Sequence, residues 1–500
     1  MNVADYLLEC GKDQQIALVA DRSHHTYLDI RKAAATLARG ILEAGIQPGD
    51  AVGLLASNSL FWIASYLSIL KLGCIAVPFN PASMPAELSV LADFTGCKTM
   101  CLQRRYLRRF AEALPSSLPL ISDDIPDYSD QDMAVWNSLP DLESEEQDAA
   151  LMLTSGTTSS PRVVRVTHKN IKANTDSIIA CLELTDTERI MVVLPFYYCF
   201  GTSLLHTHLR VGGSLVLCNS FVYPQTALDL MEAENCTGFA GVPSMYQTLI
   251  RDSAFPKREF PHLRKIQQAG GKLPPILIQE LMECRPNAQI YIMYGQTEAT
   301  ARLSILAPEL LRSKLGSVGR GIPGTELRVV SESGQAVAPG EVGEIIARGD
   351  NVSPGYLNNP EATSAKFVDG MLHTRDLATV DADGFIYIVD RTSDFIKSHG
   401  YRVSSQQVEE TILQLTDLVA AAVIGEPDLA AGEAIIAYVV IRKGSPVSPE
   451  DVLAHCRQNL PRYMWPKEVI IVDSLPKSAQ GKIVKSVLRE RHRAELTRAE

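Results

Sequence analysis

Short apolar runs separated by stretches of helical periodicity fill residues 1–389, and this alternation does most to constrain the fold. "AVGLLA", "CIAVPF", "IMVVLP", "SLVLC" and "IYIMYG" show no polar face, so each must be covered on both sides. Strands of that kind, separated by helices, predict parallel sheets enclosed between helical layers. The most apolar segment, "LFWIASYLSILKLGCIAVPF", is broken by Lys71 and reaches Pro78. It reads as a buried helix followed by a strand, not as a membrane span. After residue 310 the texture changes to turn-punctuated alternation, as in "GTELRVVSESGQAVAPGEVGEIIARG", which predicts a β-rich subdomain. From residue 395 to 500 a βα pattern predicts a small α+β domain, with its boundary at residues 390–394. A chain of 500 residues exceeds what one core supports, so several domains are expected.

The charge balance narrows the function. Lys and Arg total 47 against 58 Asp and Glu, a net charge of −11, with no dense basic run. Nucleic acid is therefore not the expected partner. The basic tail "LRERHRAELTR" alternates sign and reads as a solvated terminal helix. Ten cysteines are scattered without CxxC spacing, so reduced thiols are expected, not disulfides or structural zinc. The start, "MNVADYLLECGKD", has an acid and no basic leader region, and the expected location is the cytoplasm. Residues 319–324, "GRGIPG", match a dinucleotide fingerprint in spacing only. Pro323 lies inside the motif and a strand pattern follows it, so these are turn glycines. His206 and His208 lack a third ligand and read as packing residues.

Four stretches carry chemistry. Residues 151–168, "LMLTSGTTSSPRVVRVTH", place a hydroxyl-rich loop between two strand patterns. Successive amides and hydroxyls there make a concave donor surface for phosphate oxygens, with Arg162 adding charge at the rim. In "IYIMYGQTEAT" a strand runs straight into Tyr294, Gly295, Gln296, Thr297 and Glu298. This offers a ring to stack a base, a hydroxyl for phosphate and a carboxylate for Mg²⁺. Asp376, in "LHTRDLA", can accept two ribose hydroxyls, and Arg391 can reach the same sugar. Lys482 follows a glycine turn in "LPKSAQGKIVK".

Together these stretches resemble the adenylate-forming superfamily of acyl-CoA synthetases, non-ribosomal adenylation domains and luciferases. The likeness covers nearly the whole chain and includes "ILKLGCIAVPFNP", "LPFYYCFG", "AGGKL", "GEIIARGDNVSPGY", "DRTSDFIKSHGYRV" and "LPRYMWP". It implies a large N-terminal domain of two α/β subdomains and a β subdomain, followed by a small mobile C-terminal domain. It also implies a two-step reaction: a carboxylate and Mg·ATP give an acyl-adenylate and pyrophosphate, then a thiol gives a thioester and AMP. By that resemblance Thr154, Ser155, Gly156, Thr157 and Thr158, with Arg162, surround the pyrophosphate end. Gly270, Gly271 and Tyr294 surround adenine, and Gly295 and Gln296 are cofactor-binding. Thr297 meets phosphate, Glu298 binds Mg²⁺, Asp376 and Arg391 bind ribose, and Lys482 bridges the carboxylate to the nucleotide in the first step. Lys397 and Gly400 belong to the second half-reaction. The chain departs from the pattern at Ser159, Ser160, Arg162, Ser393, Ser405 and Gln407. These changes bear on loop stiffness and hinge detail, not on the chemistry.

The acyl pocket is expected from Tyr197, Tyr198, Phe200, Gly201 and Gly241, with Tyr198 where acyl-CoA synthetases often carry His. The stretch "LPFYYCFGTSLLHTH" contains no acid, whereas a buried ammonium needs a counter-ion. An acyl or aryl acid is therefore the favoured small carboxylic acid substrate. A stand-alone enzyme loading a small amino or imino acid onto a carrier protein is the alternative. The thiol is CoA or the phosphopantetheine of an acyl or peptidyl carrier protein. A non-catalytic nucleotide binder is disfavoured by the presence of both Glu298 and Lys482. A luciferase-type oxygenase shares the motifs and is separated only by its products.

Overall fold

The computed structural model describes residues 1–124, 130–154, 162–391, 394–428, 430–478 and 480–499. Among them the strands gather into four sheets. The first has the spatial order Gly355–Tyr356, Val163–Thr167, Asp148–Leu153, Ile75–Pro78, Ala51–Leu55, Cys97–Leu102, Leu120–Ser122. Its inner strands pair in parallel, and the Val163–Thr167 and Gly355–Tyr356 edge is antiparallel. The second runs from Arg320–Gly321 through Ser304–Leu306, Gln289–Tyr294, Lys265–Gln268, Gly238–Gly241, Arg189–Val192, Ser214–Leu217 and Ile16–Ala20 to Ser23–Thr26. It too is parallel except at its edges. Every residue of Ala51–Leu55 and of Ser214–Leu217 is buried, as a doubly covered strand requires.

The apolar segment expected as helix then strand forms the helix Leu60–Lys71 and the strand Ile75–Pro78. Ser59 caps that helix by accepting the Trp62 amide at 3.1 Å. Its one cation, Lys71, is buried and pairs with Asp5 at 2.7 Å. The helix is apolar all round because it lies inside the shared core. The third sheet is the β-rich part: Thr325–Val330, Gly343–Gly349, Met371–Val380 and Phe367–Val368 in order, with Ile386–Arg391 paired to Met371–Val380. Gly319 and Gly324 have φ of +89° and +75°, and a strand follows them, so they are turn glycines.

Phe395–Ser398 begins the fourth sheet, with Tyr401–Ser404, Leu418–Asp428, Gly432–Ile441 and Glu468–Ile471. The basic tail lies in the helix Lys485–Ala499. This part is anchored to the larger one by Arg251, whose side chain is 1% exposed and pairs with Glu280 at 2.6 Å. The same guanidinium donates to the carbonyls of Leu413, Leu415 and Leu418 at 2.9, 3.3 and 2.5 Å. Ser393 lies outside the described residues. Among those described, no helix is long and apolar enough to cross a membrane.

Candidate active site

The strand Gln289–Tyr294 delivers its chain to one end of the second sheet, where Gly295 starts a tight reversal. A Cβ on Gly295 would sit 2.0 Å from the Ala301 carbonyl oxygen, so only glycine fits. The turn Thr297–Ala299 follows, and Thr300 takes φ +64°. Its hydroxyl compensates by donating to the Asn351 carbonyl at 2.8 Å. Asn174 and Asn351 both donate to the Arg302 carbonyl, at 2.9 and 2.8 Å. The reversal is therefore fixed from three sides. Gly295→Ala is expected to cost about 1–3 kcal/mol of stability, because the added methyl meets backbone that cannot step aside. A thermal unfolding curve coinciding with wild type would contradict that packing.

The reversal presents Thr297 and Glu298. Glu298 accepts the Tyr356 hydroxyl at 2.7 Å, and its carbonyl receives the Ser353 amide at 2.9 Å. Burial and the Glu298 charge together push the Tyr356 phenol up, so it remains a donor. The Thr297 hydroxyl lies 3.6 Å from the Cys199 sulfur. Asp376 and Arg391 face each other across the antiparallel strands Met371–Val380 and Ile386–Arg391. The Arg391 Nε donates to one Asp376 oxygen at 3.1 Å and the Tyr294 hydroxyl to the other at 2.7 Å. The neighbouring Asp376 charge pushes the Arg391 guanidinium up, and burial pushes the Tyr294 phenol up.

Lys482 enters from the small C-terminal part on the turn Ser478–Lys482, closed by the Ser478 amide on the Lys482 carbonyl at 2.7 Å. The Ser244 hydroxyl holds that turn through the Gly481 carbonyl at 2.5 Å. The Lys482 ammonium lies 5.2 Å from the Tyr198 ring centroid. Gly270, at φ +86°, leaves the space between them, since a Cβ there would be 3.1 Å from the Tyr198 hydroxyl and 3.6 Å from Lys482 Cε.

These groups wall a cavity of about 1450 Å³. It brings together Thr154, Arg162, Tyr198, Phe200, Gly270, Gly295, Gln296, Thr297, Glu298, Asp376, Arg391 and Lys482. Thr154 closes the base of the hydroxyl-rich loop, its amide and hydroxyl reaching the Arg162 carbonyl at 3.1 and 3.0 Å. Ser155, Gly156, Thr157 and Thr158 lie outside the described residues, as do Ser159 and Ser160.

Other expected residues stand elsewhere. Tyr294 is only 8% exposed and acts as a support for Asp376; neither it nor Gly271 walls the cavity. Tyr197 lines a second cavity, of about 900 Å³, with Tyr106 and Arg109. Gly201 and Gly241 are packing glycines: a Cβ on Gly201 would lie 2.1 Å from the Pro195 carbonyl, and one on Gly241 3.1 Å from the Phe239 ring. Lys397 is exposed on Phe395–Ser398 and Gly400 sits in the following turn, both away from the large cavity. The cross-strand partner of Lys397, Arg402, does line it. His206 bonds the Tyr66 hydroxyl at 3.0 Å, and burial lowers its pKa to about 3, as for a neutral packing residue.

Arg302, Lys366 and Arg375 also wall the cavity, though no motif marked them. The signal available for Arg302 was a lone cation within the apolar run of "TARLSIL". Cations outnumber carboxylates around the cavity, which suits a polyphosphate. Among the described residues no group of three or more His, Cys, Asp or Glu could cage a metal. The single carboxylate of Glu298 fits a divalent cation that arrives already bound to phosphate oxygens.

The profile of the AMP-binding enzymes matches residues 10–357, and that of the AMP-binding enzyme C-terminal domain matches 407–482. The oxalate–CoA ligase of Arabidopsis thaliana is 32% identical over 475 residues, covering 92% of this chain and 91% of that one. The anthranilate CoA ligase AuaEII, solved with anthranoyl-AMP, superposes with a TM-score of 0.88 at 26% identity over 98% and 97% of the two chains. The o-succinylbenzoate coenzyme A synthetase of Bacillus subtilis, solved with ATP and magnesium, gives 0.82 at 26% over 98% and 99%.

Proposed function

We propose, for a chain that belongs to the AMP-binding enzyme family, that it joins a carboxylic acid lacking an ammonium group to CoA. It is an ATP-dependent, AMP-forming ligase, which activates the acid as an acyl-adenylate and transfers the acyl group to a thiol. One observation supports the reading best. A single cavity collects Lys482, Thr297, Glu298, the Asp376–Arg391 pair and the aromatic Tyr198–Phe200 wall.

A carboxylate is a poor electrophile because its charge is delocalised, and joining it to AMP gives it a good leaving group. In this reading Asp376 accepts the ribose hydroxyls, held by Tyr294 and Arg391. Thr154 to Thr158 and Arg162 take the pyrophosphate end, and Gly270 and Gly295 leave room for the nucleotide. Lys482 lies between the acid and the nucleotide, where its charge offsets that of the transition state. Glu298 and Thr297 orient the phosphates, and Glu298 holds Mg²⁺, which neutralises phosphate charge when bound. Residues 1–389 and 395–500 are the two domains, with 390–394 the hinge on which Lys397 and Gly400 reach the site for the second step. The ten free thiols fit the reducing cytoplasm.

Glu298→Gln is expected to raise the Mg²⁺ concentration for half-maximal rate by about 10–100-fold, as for loss of a group that positions a metal. Normal rates at low Mg²⁺ would place the metal elsewhere. The whole reading is tested with ATP, CoA and a panel of acids: AMP and acyl-CoA should form one to one. Production of ADP, or of AMP without thioester, would sink it.

A further inference from the structure

Arg302 is a buried cation with no acid beside it. Its residue is 2% exposed, at the point where the reversal after Tyr294 rejoins the sheet. Its Nε faces the Met293 sulfur at 3.4 Å, and the guanidinium carbon lies 4.0 Å from the Phe200 ring centroid. A thioether is a weak acceptor, and a ring face only partly offsets a buried charge. Two other interior cations, Arg251 and Lys265, pair with Glu280 and Glu188, each at 2.6 Å, and the buried Lys366 donates to the Thr374 carbonyl at 2.9 Å. Among the described residues no carboxylate lies within ion-pair distance of Arg302. Burial lowers its pKa to about 10, so it stays charged at neutral pH. Its ionisable neighbours Tyr198 and Cys199 are both pushed up by burial and stay neutral.

Arg302 shares the cavity with Lys482, and Tyr198 lies beside both. The acyl end thus holds two cations, while the reacting carboxylate needs one. The space behind Cys199 and Ala301 is a cavity of about 20 Å³, room for a water molecule and not for a long chain.

We propose that Arg302 receives a second carboxylate on the substrate, so that the acid activated here is a short dicarboxylate. This rests on the ligase reading and makes it more specific. With one carboxylate at Lys482, the other replaces the missing counter-ion, and the planar guanidinium suits it in a two-pronged contact. A monocarboxylate of the same length leaves Arg302 buried and unpaired.

The test is acid-dependent ATP–pyrophosphate exchange with matched pairs: malonate and propionate, succinate and butyrate, glutarate and pentanoate. Wild type should favour the best dicarboxylate over its partner by about a hundredfold in kcat/KM, as for a desolvated charge pair. In Arg302→Met that ratio should collapse towards one, and Arg302→Lys should restore part of it. If wild type uses monocarboxylates as well or better, the dicarboxylate assignment falls and the ligase reading stands. If Arg302→Met slows both members equally and raises the KM for ATP, Arg302 serves the nucleotide and the assignment also falls. If none of the six acids supports exchange, the dicarboxylate assignment falls, and the ligase reading is decided by the wider panel of acids.

Discussion

Lys482→Ala is expected to slow adenylation by about 10²–10³-fold, the usual cost of removing a preorganised electrostatic group. Thioester formation from a supplied acyl-adenylate should survive far better. The asymmetry follows from position. The ammonium is carried into the cavity by a turn pinned at Ser244 and rests against Tyr198, where the proposed function has nucleotide and acid meet. Its charge matters while the carboxylate attacks phosphorus, and much less once the acyl–phosphate bond exists. The two half-reactions are measured separately, by pyrophosphate exchange and by thioester release. Equal losses in both would show that Lys482 serves a shared step or simply holds the fold.

A larger effect is expected from substrate charge. An acid should support exchange more than a thousandfold better than its 2-amino analogue at equal concentration, because burying an unpaired ammonium costs several kcal/mol. The walls near Tyr198 and Phe200 offer rings, the Cys199 thiol and two cations. Glu298 is engaged by Tyr356 and Asp376 by Arg391 and Tyr294. Arg302 and Lys482 would repel an ammonium as well as fail to pair with it. Preference for the amino member would point to a counter-ion brought in by a rearranged site. A tie would mean that the pocket does not sense the ammonium.

The layered architecture was legible because strands such as Ala51–Leu55 and Ser214–Leu217 are apolar on both faces, which in water admits one kind of environment. Part of the large cavity was legible because Thr154, Gly295, Gln296, Thr297 and Glu298, which line it, fall in short motifs at strand ends. What the sequence leaves out is pairing. Nothing in it says that Asp376 and Arg391 stand opposite each other in a hairpin, or that Tyr294 supports that pair from behind. The acyl side was the least legible. Neighbours Tyr197 and Tyr198 open into different cavities, and Gly201 and Gly241 serve packing, because a helix start sorts adjacent side chains to different faces. Arg302 carried only the weak signal of a lone cation in an apolar run, because an arginine counts as solvated until its burial is known.

Activation as an acyl-adenylate requires the acid's own oxygen to attack the α-phosphate of ATP, and isotope transfer reads that bond directly. The enzyme is supplied with a substrate acid labelled with ¹⁸O in its carboxylate, together with ATP and CoA, and the products are weighed by mass spectrometry. One ¹⁸O should appear in AMP for each thioester formed, with none in pyrophosphate. Label in inorganic phosphate beside ADP, or thioester formed with unlabelled AMP, would contradict activation through an acyl-adenylate.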